Sequence, residues 1–403
     1  MPDVSRRSAT APASPIRRLY PLAEEAKRRG KKVYHLNIGQ PDIPTPEEYL
    51  QGIRGADVEV LAYSPSQGLP EAIEAFRAYY AEWGIELAPD ELIVTAGGSE
   101  AVLFAFQVVC DPGDQVLVPE PFYPNYNGFS HLAGVELVPI TTTREEGFHL
   151  PPRQEIARLI TPRTKGILFS NPSNPTGVVY REEELELLAE LALRHDLFLI
   201  ADEVYREFVY EGEHRSVLSM PELRGHAIMV DSISKRLSAC GARIGAFASR
   251  NPEVLAAARR CAMARLSPPT LEQLGLAAFM AHPRHRDVML EMVEEYRRRR
   301  EVLSEQLSHI PGVLFHKPEG AFYMMLGLPV DDAEAFVRWM LTDFPGEETV
   351  MLAPGEGFYK TPGLGADEAR IAYVLKEQDL VRACQLLKEG LELYQEVAPR
   401  AQV

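Results

Sequence analysis

The sequence predicts an α/β protein built on a largely parallel sheet and completed by a smaller α+β lobe. Three observations carry that expectation. Short apolar runs alternate with amphipathic helical stretches through the middle of the chain. Those runs are rich in leucine and β-branched residues without polar alternation, as strands covered on both faces are. After about residue 290 the pattern changes to long charged helices and fewer strands. The chain has 403 residues, long for one hydrophobic core, which also favours two lobes.

Taken in order, "MPDVSRRSATAPASPIRR" is basic and rich in Ser, Ala and Pro but has no apolar h-region, so it reads as a flexible arm rather than a targeting signal. "ELIVTA" (91–96) reads as a strand and "GGSEAVLFAFQVV" as the helix after it. "QVLVPEP" (115–121), "VELVPI" (135–140), "KGILFSNP" (165–172), "LFLIADEVY" (197–205) and "HAIMVDSIS" (226–234) are further candidate strands. Between the fourth and fifth, the leucines of "REEELELLAELALRHD" recur at helical spacing. "EMVEEYRRRREVLSEQL" reads as a solvated helix, with Glu294 and Glu295 four residues before Arg298 and Arg299. "GAFYMML" and "ETVMLAPG" are expected strands, and "AEAFVRWMLT" and "QDLVRACQLLKEGLELYQEV" expected helices. The implied division is an N-terminal arm and part of the small domain (1–46), a large domain (47–290) and a small C-terminal domain (291–403).

Bulk properties exclude several functions. A formal charge of −16 repels phosphate backbones and argues against a nucleic-acid partner. No run reaches the roughly 20 apolar residues of a membrane span. Cys110, Cys240, Cys261 and Cys384 form no CxxC pair, so neither a disulfide framework nor a metal site is indicated, and a reducing, cytoplasmic setting is expected.

In a parallel sheet covered by helices, ligands sit beyond the carboxyl ends of the strands, so the polar residues there matter most. Gly98 and Ser99 open a helix whose free N–H groups attract an anion. With Ser232, Ser234 and Arg243 they suit a phosphate. Asp202 ends a very apolar strand and is costly to bury without a cation. Tyr205 and Asn174 suit a phenolate oxygen, and Lys235 is an amine that, desolvated beside other cations, forms Schiff bases. A phosphorylated, cationic pyridine carrying an aldehyde meets all of these demands, and pyridoxal 5′-phosphate (PLP) is such a molecule. Singly, each feature has a plainer reading: "GGSE" and Asp202 as helix caps, Tyr205 as packing, Lys235 as an ordinary lysine. The ordered set, each member at a strand end of one α/β region, favours the ligand.

These motifs resemble those of the class I/II aminotransferases, fold type I PLP enzymes of the aspartate aminotransferase family, over nearly the whole chain. "SISKRLSACGARIG" resembles the family's Ser-x-Ser-Lys followed by Gly-x-Arg-x-Gly, implying Lys235 as the lysine joined to the cofactor aldehyde and Arg243 as a phosphate ligand. "SNPSNPTG" resembles the Asn-Pro-x-Gly loop and "ADEVY" the Asp-x-x-Tyr element. "LNIGQPDIPTP" implies Gly39 beside the substrate carboxylate, and "EARIAYV" implies Arg370 as the arginine that grips it. "YSPSQGLPE" implies that Tyr63 reaches the cofactor phosphate of a partner subunit, hence a homodimer with shared sites. In "PEPFYPNY", Tyr123 stands where the best-known aspartate enzymes stack a tryptophan on the cofactor ring. Ser99 stands where one aspartate-specific subgroup carries a lysine for the distal carboxylate.

The resemblance implies a seven-stranded, mostly parallel sheet and an aminotransferase (EC 2.6.1.-) that moves an amino group between an L-amino acid and a 2-oxo acid. Aspartate and 2-oxoglutarate are the first expectation; alanine, aromatic or broad-range activity is the second, and a PLP-dependent lyase the third. A PLP-sensing regulator would need a DNA-binding domain, and no basic helix-turn-helix precedes residue 14. A dicarboxylate requires a second cation, for which Arg265, donated across the dimer, and Arg17 or Arg18 in the N-terminal segment are the candidates.

Overall fold

A computed structural model describes residues 2–397. Its strands in chain order are β1 (Lys32–His35), β2 (Leu92–Thr95), β3 (Gln115–Glu120), β4 (Glu136–Thr141), β5 (Thr164–Ser170), β6 (Phe198–Asp202) and β7 (Ala227–Ser232). Then follow β8 (Gly245–Ser249), β9 (Leu314–Phe315), β10 (Tyr323–Gly327), β11 (Glu348–Met351), β12 (Ala353–Pro354) and β13 (Glu368–Ala372). Seven of them form the principal sheet, in the order β2-β8-β7-β6-β5-β3-β4. All of its pairings are parallel except the two made by β8.

The principal sheet is mostly parallel because helices cross over between its strands and cover both faces. The helix Glu182–His195 shows how its sequence dictates one crossover. Three glutamates occupy its first turn and Arg194 and His195 its last, matching the helix dipole, while Leu185, Leu188, Ala189, Leu191 and Ala192 are buried. Asp196 closes it in the left-handed region at φ 54°. The six central-region strands expected from sequence are all present. β8 was not expected: "GAFAS" is a short run of small residues directly after the Arg243 motif, without the Val/Ile/Leu character of its neighbours. It lies between β2 and β7 and returns the chain antiparallel to the edge from which Lys235 departs.

The remaining strands lie outside this sheet. β10, β13, β12 and β9 make a four-stranded sheet. β1 pairs in parallel with β11, so the N-terminal segment joins the C-terminal part of the chain. "ETVMLAPG" is therefore not one strand: β11 pairs with β1, and β12 pairs with β13. One apolar cluster gathers residues from Tyr49 to Met289 around one face of the principal sheet. A second joins Leu19, Ala23 and Tyr34 to residues beyond Met292, and Tyr205, Phe208 and Tyr210 also pack into it.

Three expectations need correction. The helix His285–Ser308 is not solvated all round: Arg299 and Arg300 are each only 3% exposed. Arg299 reaches Asp42 at 2.6 Å as well as Glu295, and Arg300 reaches Glu211 at 2.9 Å, so these arginines tie distant segments together. "LFLIADEVY" stops being a strand at Asp202, and Tyr205 sits in the turn beyond it. The N-terminal arm contains a helical turn, Arg6–Ala9, capped by Ser5. No helix among the described residues is long and apolar enough to cross a membrane.

Candidate active site

A cavity of about 430 Å³ opens at the carboxyl edge of the principal sheet, where the N-terminal segment and the β10–β13 sheet close over it. The chain brings thirteen of its fifteen sequence-predicted site residues to this one cavity: Arg17, Gly39, Gly98, Ser99, Tyr123, Asn174, Asp202, Tyr205, Ser232, Ser234, Lys235, Arg243 and Arg370.

The floor comes from adjacent strands. Asp202 ends β6, where it accepts a 2.7 Å hydrogen bond from the Tyr126 hydroxyl and a longer one from the Val204 N–H. Burial pushes its carboxyl up to about 6, although those two donors favour the charged form. No cation pairs with it among the described residues, so it is a buried carboxylate facing a cavity. Lys235 follows the end of β7 on the short helical turn Ile233–Arg236. Its amine donates to the Gly39 carbonyl at 2.9 Å and lies 3.7 Å from Cys240 Sγ, and no carboxylate comes within ion-pair distance among the described residues.

Beside the lysine is an anion cradle. Helix Gly98–Val109 begins after Gly97, whose φ of 78° suits glycine, and a side chain there would collide with the Arg243 guanidinium. Arg243, itself at φ 54°, donates to the carbonyls of Cys240 and Ala96. Ser232 and Ser234 hydroxyls lie 2.8 Å apart, and the Ser232 hydroxyl also accepts from the Ser234 N–H, capping the turn that carries Lys235.

The opposite wall centres on Arg370 of β13, which is 1% exposed. Its two terminal nitrogens donate to Asn174 Oδ1 at 2.8 Å and the Asn37 carbonyl at 2.6 Å. Its Nε has no partner among the described residues, and its guanidinium carbon lies 4.4 Å from the Tyr323 ring centroid. Burial lowers its pKa, and only phenols, no carboxylate, favour its charge. A buried guanidinium without an anion is a site for a carboxylate.

Two predicted residues lie elsewhere. Tyr63 is 79% exposed and does not line the cavity of its own chain. Arg265 is also outside it: the guanidinium pairs with Glu100 at 3.3 Å and donates to the Ser66 and Val94 carbonyls. Arg17 lines the cavity, whereas the neighbouring Arg18 pairs with Glu334.

Sequence reasoning missed Tyr126 and Tyr323. Tyr126 lies three residues beyond Tyr123, and the start of helix Asn125–Ala133 puts both at the cavity, their rings edge to face at 5.5 Å. Tyr323 was hidden in an apolar strand run, yet its hydroxyl bonds the Tyr205 hydroxyl at 2.7 Å. A side chain on Gly39 would meet that Tyr323 hydroxyl, which ties the N-terminal segment to glycine at this point.

Comparison with known proteins gives one consistent result. The family model described as aminotransferase class I and II matches residues 31–387. The aspartate/prephenate aminotransferase of Thermus thermophilus is 34% identical over 95% of this chain and 97% of its own. The Thermus thermophilus aspartate aminotransferase solved with maleate superposes at a TM-score of 0.88, with 32% identity, covering 97% of this chain and 100% of that one. An alanine aminotransferase from Pyrococcus furiosus also reaches 0.88, at 31% identity, over 97% of this chain and 100% of its own.

Proposed function

The chain belongs to the class I and II aminotransferases, and within that family we propose that it transfers the amino group of aspartate to a 2-oxo acid, 2-oxoglutarate first among them, using pyridoxal 5′-phosphate. The donor set fits that cofactor. A buried carboxylate facing the cavity without a cation suits a pyridinium nitrogen, the helix start at Gly98 with Ser99, Ser232, Ser234 and Arg243 suits a phosphate, and Tyr123 suits stacking. When bound, the cofactor supplies an aldehyde for the amine and a ring that accepts electrons.

The protein's own residues then have separable tasks. Asp202 would hold a proton at a ring nitrogen, and Asn174 and Tyr205 would offer hydrogen bonds to a phenolic oxygen. Arg370 binds the substrate α-carboxylate with its planar fork, and its packing on Tyr323 fixes that fork's plane. Lys235 would hold the cofactor aldehyde, and its free amine, positioned at the cavity floor, would carry the substrate Cα proton as base and then acid. The Gly39 carbonyl, 2.9 Å from that amine, orients it.

The observation that carries the aspartate reading is the pairing of cations in one cavity: buried Arg370 at one end and exposed Arg17 at its mouth. Two carboxylates suit such a site, and the related Thermus enzyme is described with maleate, a dicarboxylate. Arg265, tied to Glu100, is the weaker candidate. A second reading, alanine transfer, draws on the Pyrococcus furiosus neighbour.

We also propose residues 47–290 as the large domain, with 1–46 and 291–403 completing the small one, Met1 and 398–403 lying outside the described residues; the apolar cluster joining Leu19, Ala23 and Tyr34 to residues beyond Met292, separate from the clusters within 47–290, supports that division. A homodimer is supported by the exposed apolar side chains of Leu61, Tyr63 and Met263, each more than 60% exposed. The reducing cytoplasm suits the free cysteines among the described residues. The test is a half-reaction screen: the PLP-loaded protein is mixed with each of the twenty amino acids and its visible absorbance followed. Aspartate and glutamate should discharge it fastest. Fastest discharge by alanine would overturn the dicarboxylate reading, and pyruvate and ammonia formed without an oxo acid would indicate a lyase.

A further inference from the structure

We propose that the buried Asp231–Arg236 ion pair is a positioning device for Lys235; the inference rests on the reading of Lys235 given above. Lys235 rides on Ile233–Arg236, a single helical turn of four residues, too short to hold its own geometry. Asp231 and Arg236 bracket that turn. Arg236 Nη1 donates to both Asp231 carboxylate oxygens, at 2.8 and 2.9 Å, and to the Ser232 carbonyl at 3.1 Å. Asp231 also accepts from the Ser232 N–H at 2.7 Å and from the Tyr80 hydroxyl at 2.9 Å. The pair thus fastens both ends of the Lys235 turn to each other and, through Tyr80, to helix Pro70–Ala81.

Neither residue lines the cavity, so neither touches a bound ligand. Asp231 is 0% and Arg236 4% exposed, and the Arg236 guanidinium lies over the Tyr79 ring, 4.1 Å from its centroid. Stability alone does not call for such a pair, because well-packed apolar residues replace buried ion pairs at little cost. What an apolar pair does not supply is direction. Successive residues in a helical turn point about 100° apart, so anchoring Arg236 in the core turns Lys235 toward the cavity. The same anchor fixes the Ser232 carbonyl and the hydroxyl that caps the turn.

The test uses the full-length chain, first without cofactor. Asp231→Asn/Arg236→Met removes both charges together and leaves no unpaired ion. Its thermal midpoint should stay near that of the wild type. Reductive methylation with formaldehyde and borohydride, read by peptide mass, gives the labelling rate of Lys235 relative to exposed Lys388. The double variant should change that ratio at least about fivefold, as expected when a side chain loses a fixed hydrogen-bonded geometry. It should also lose added PLP on gel filtration at least about tenfold faster. The single variant Arg236→Lys, which keeps the charge, should lie between the two. An unchanged labelling ratio in a folded double variant overturns the proposal. Should the double variant fold poorly, Tyr80→Phe decides the matter: removing one hydrogen bond to Asp231 should move the ratio about twofold in the same direction, and no movement overturns the proposal. Whether the wild type takes up PLP is a separate reading that tests the proposed function, and the labelling ratio stands without it.

Discussion

The floor and the rim of the cavity are built on different principles. The floor residues Asp202, Ser232 and Lys235 sit at the ends of adjacent strands β6 and β7, locked by parallel pairing and buried hydrogen bonds. The rim gathers Ser14, Ile16, Arg17, residues 38–40, Tyr323 and Arg370, which are far apart in the chain and meet where the N-terminal segment and two small sheets converge. A floor of this kind suits chemistry that does not vary, and a rim of this kind suits selection between substrates. Substitutions in the floor should therefore act on turnover with every amino acid, and substitutions in the rim on binding, with dependence on the substrate.

The largest expected effect is at Lys235. Lys235→Ala should lower turnover at least about 10⁴-fold with any amino acid, because base and acid are lost together. Substantial turnover in that variant would break the comparison at its centre.

Asp202→Asn should lower turnover by about 10² to 10⁴ while PLP remains bound. The same substitution carries a stability signature in the cofactor-free chain. The folded carboxyl is raised to about 6 from an ordinary 3.8, so the folded state holds the proton more tightly than the unfolded one. Its contribution is fully present below pH 4 and is lost as the pH rises through 6, by about 3 kcal/mol at most. Cofactor-free Asp202→Asn should therefore gain stability relative to wild type between pH 4 and 6 and hold that gain at pH 7. Parallel wild-type and variant stability curves across that range would contradict the account.

At the rim, Arg370→Gln should lower kcat/KM about ten- to hundredfold for all amino acids, through KM more than kcat, since a buried charged contact is lost. Arg17 is exposed, so Arg17→Ala should be milder: about three- to tenfold in KM for aspartate and little change for alanine. Equal losses for both substrates would remove Arg17 from the specificity assignment.

The two regions also differed in how far the sequence revealed them. Six strands of the principal sheet were legible because buried parallel strands are written as apolar runs, and the candidate site residues end those runs. β8 was not legible, because small residues packed between two strands carry no such signature. The pairing of β1 with β11 joins positions more than 300 residues apart, which local patterning does not report. Tyr323 was obscured because its neighbours are core residues, although its own hydroxyl faces Tyr205 across the site. Arg265 was named as an arginine donated across a dimer; within its own chain Glu100 and two backbone carbonyls engage it, and such contacts appear only once the chain is folded. Arg236, beside the lysine in the most legible motif, drew no role from sequence because its significance lies in its buried partner.

The central claim is that Lys235 is the group toward which the floor is built. The most direct measurement is to load the protein with PLP, reduce it with borohydride, digest it and locate the pyridoxyl group by peptide mass. One modified site, Lys235, is expected in wild type, and none in Lys235→Ala. Modification at another lysine, with Lys235 recovered free, would contradict it.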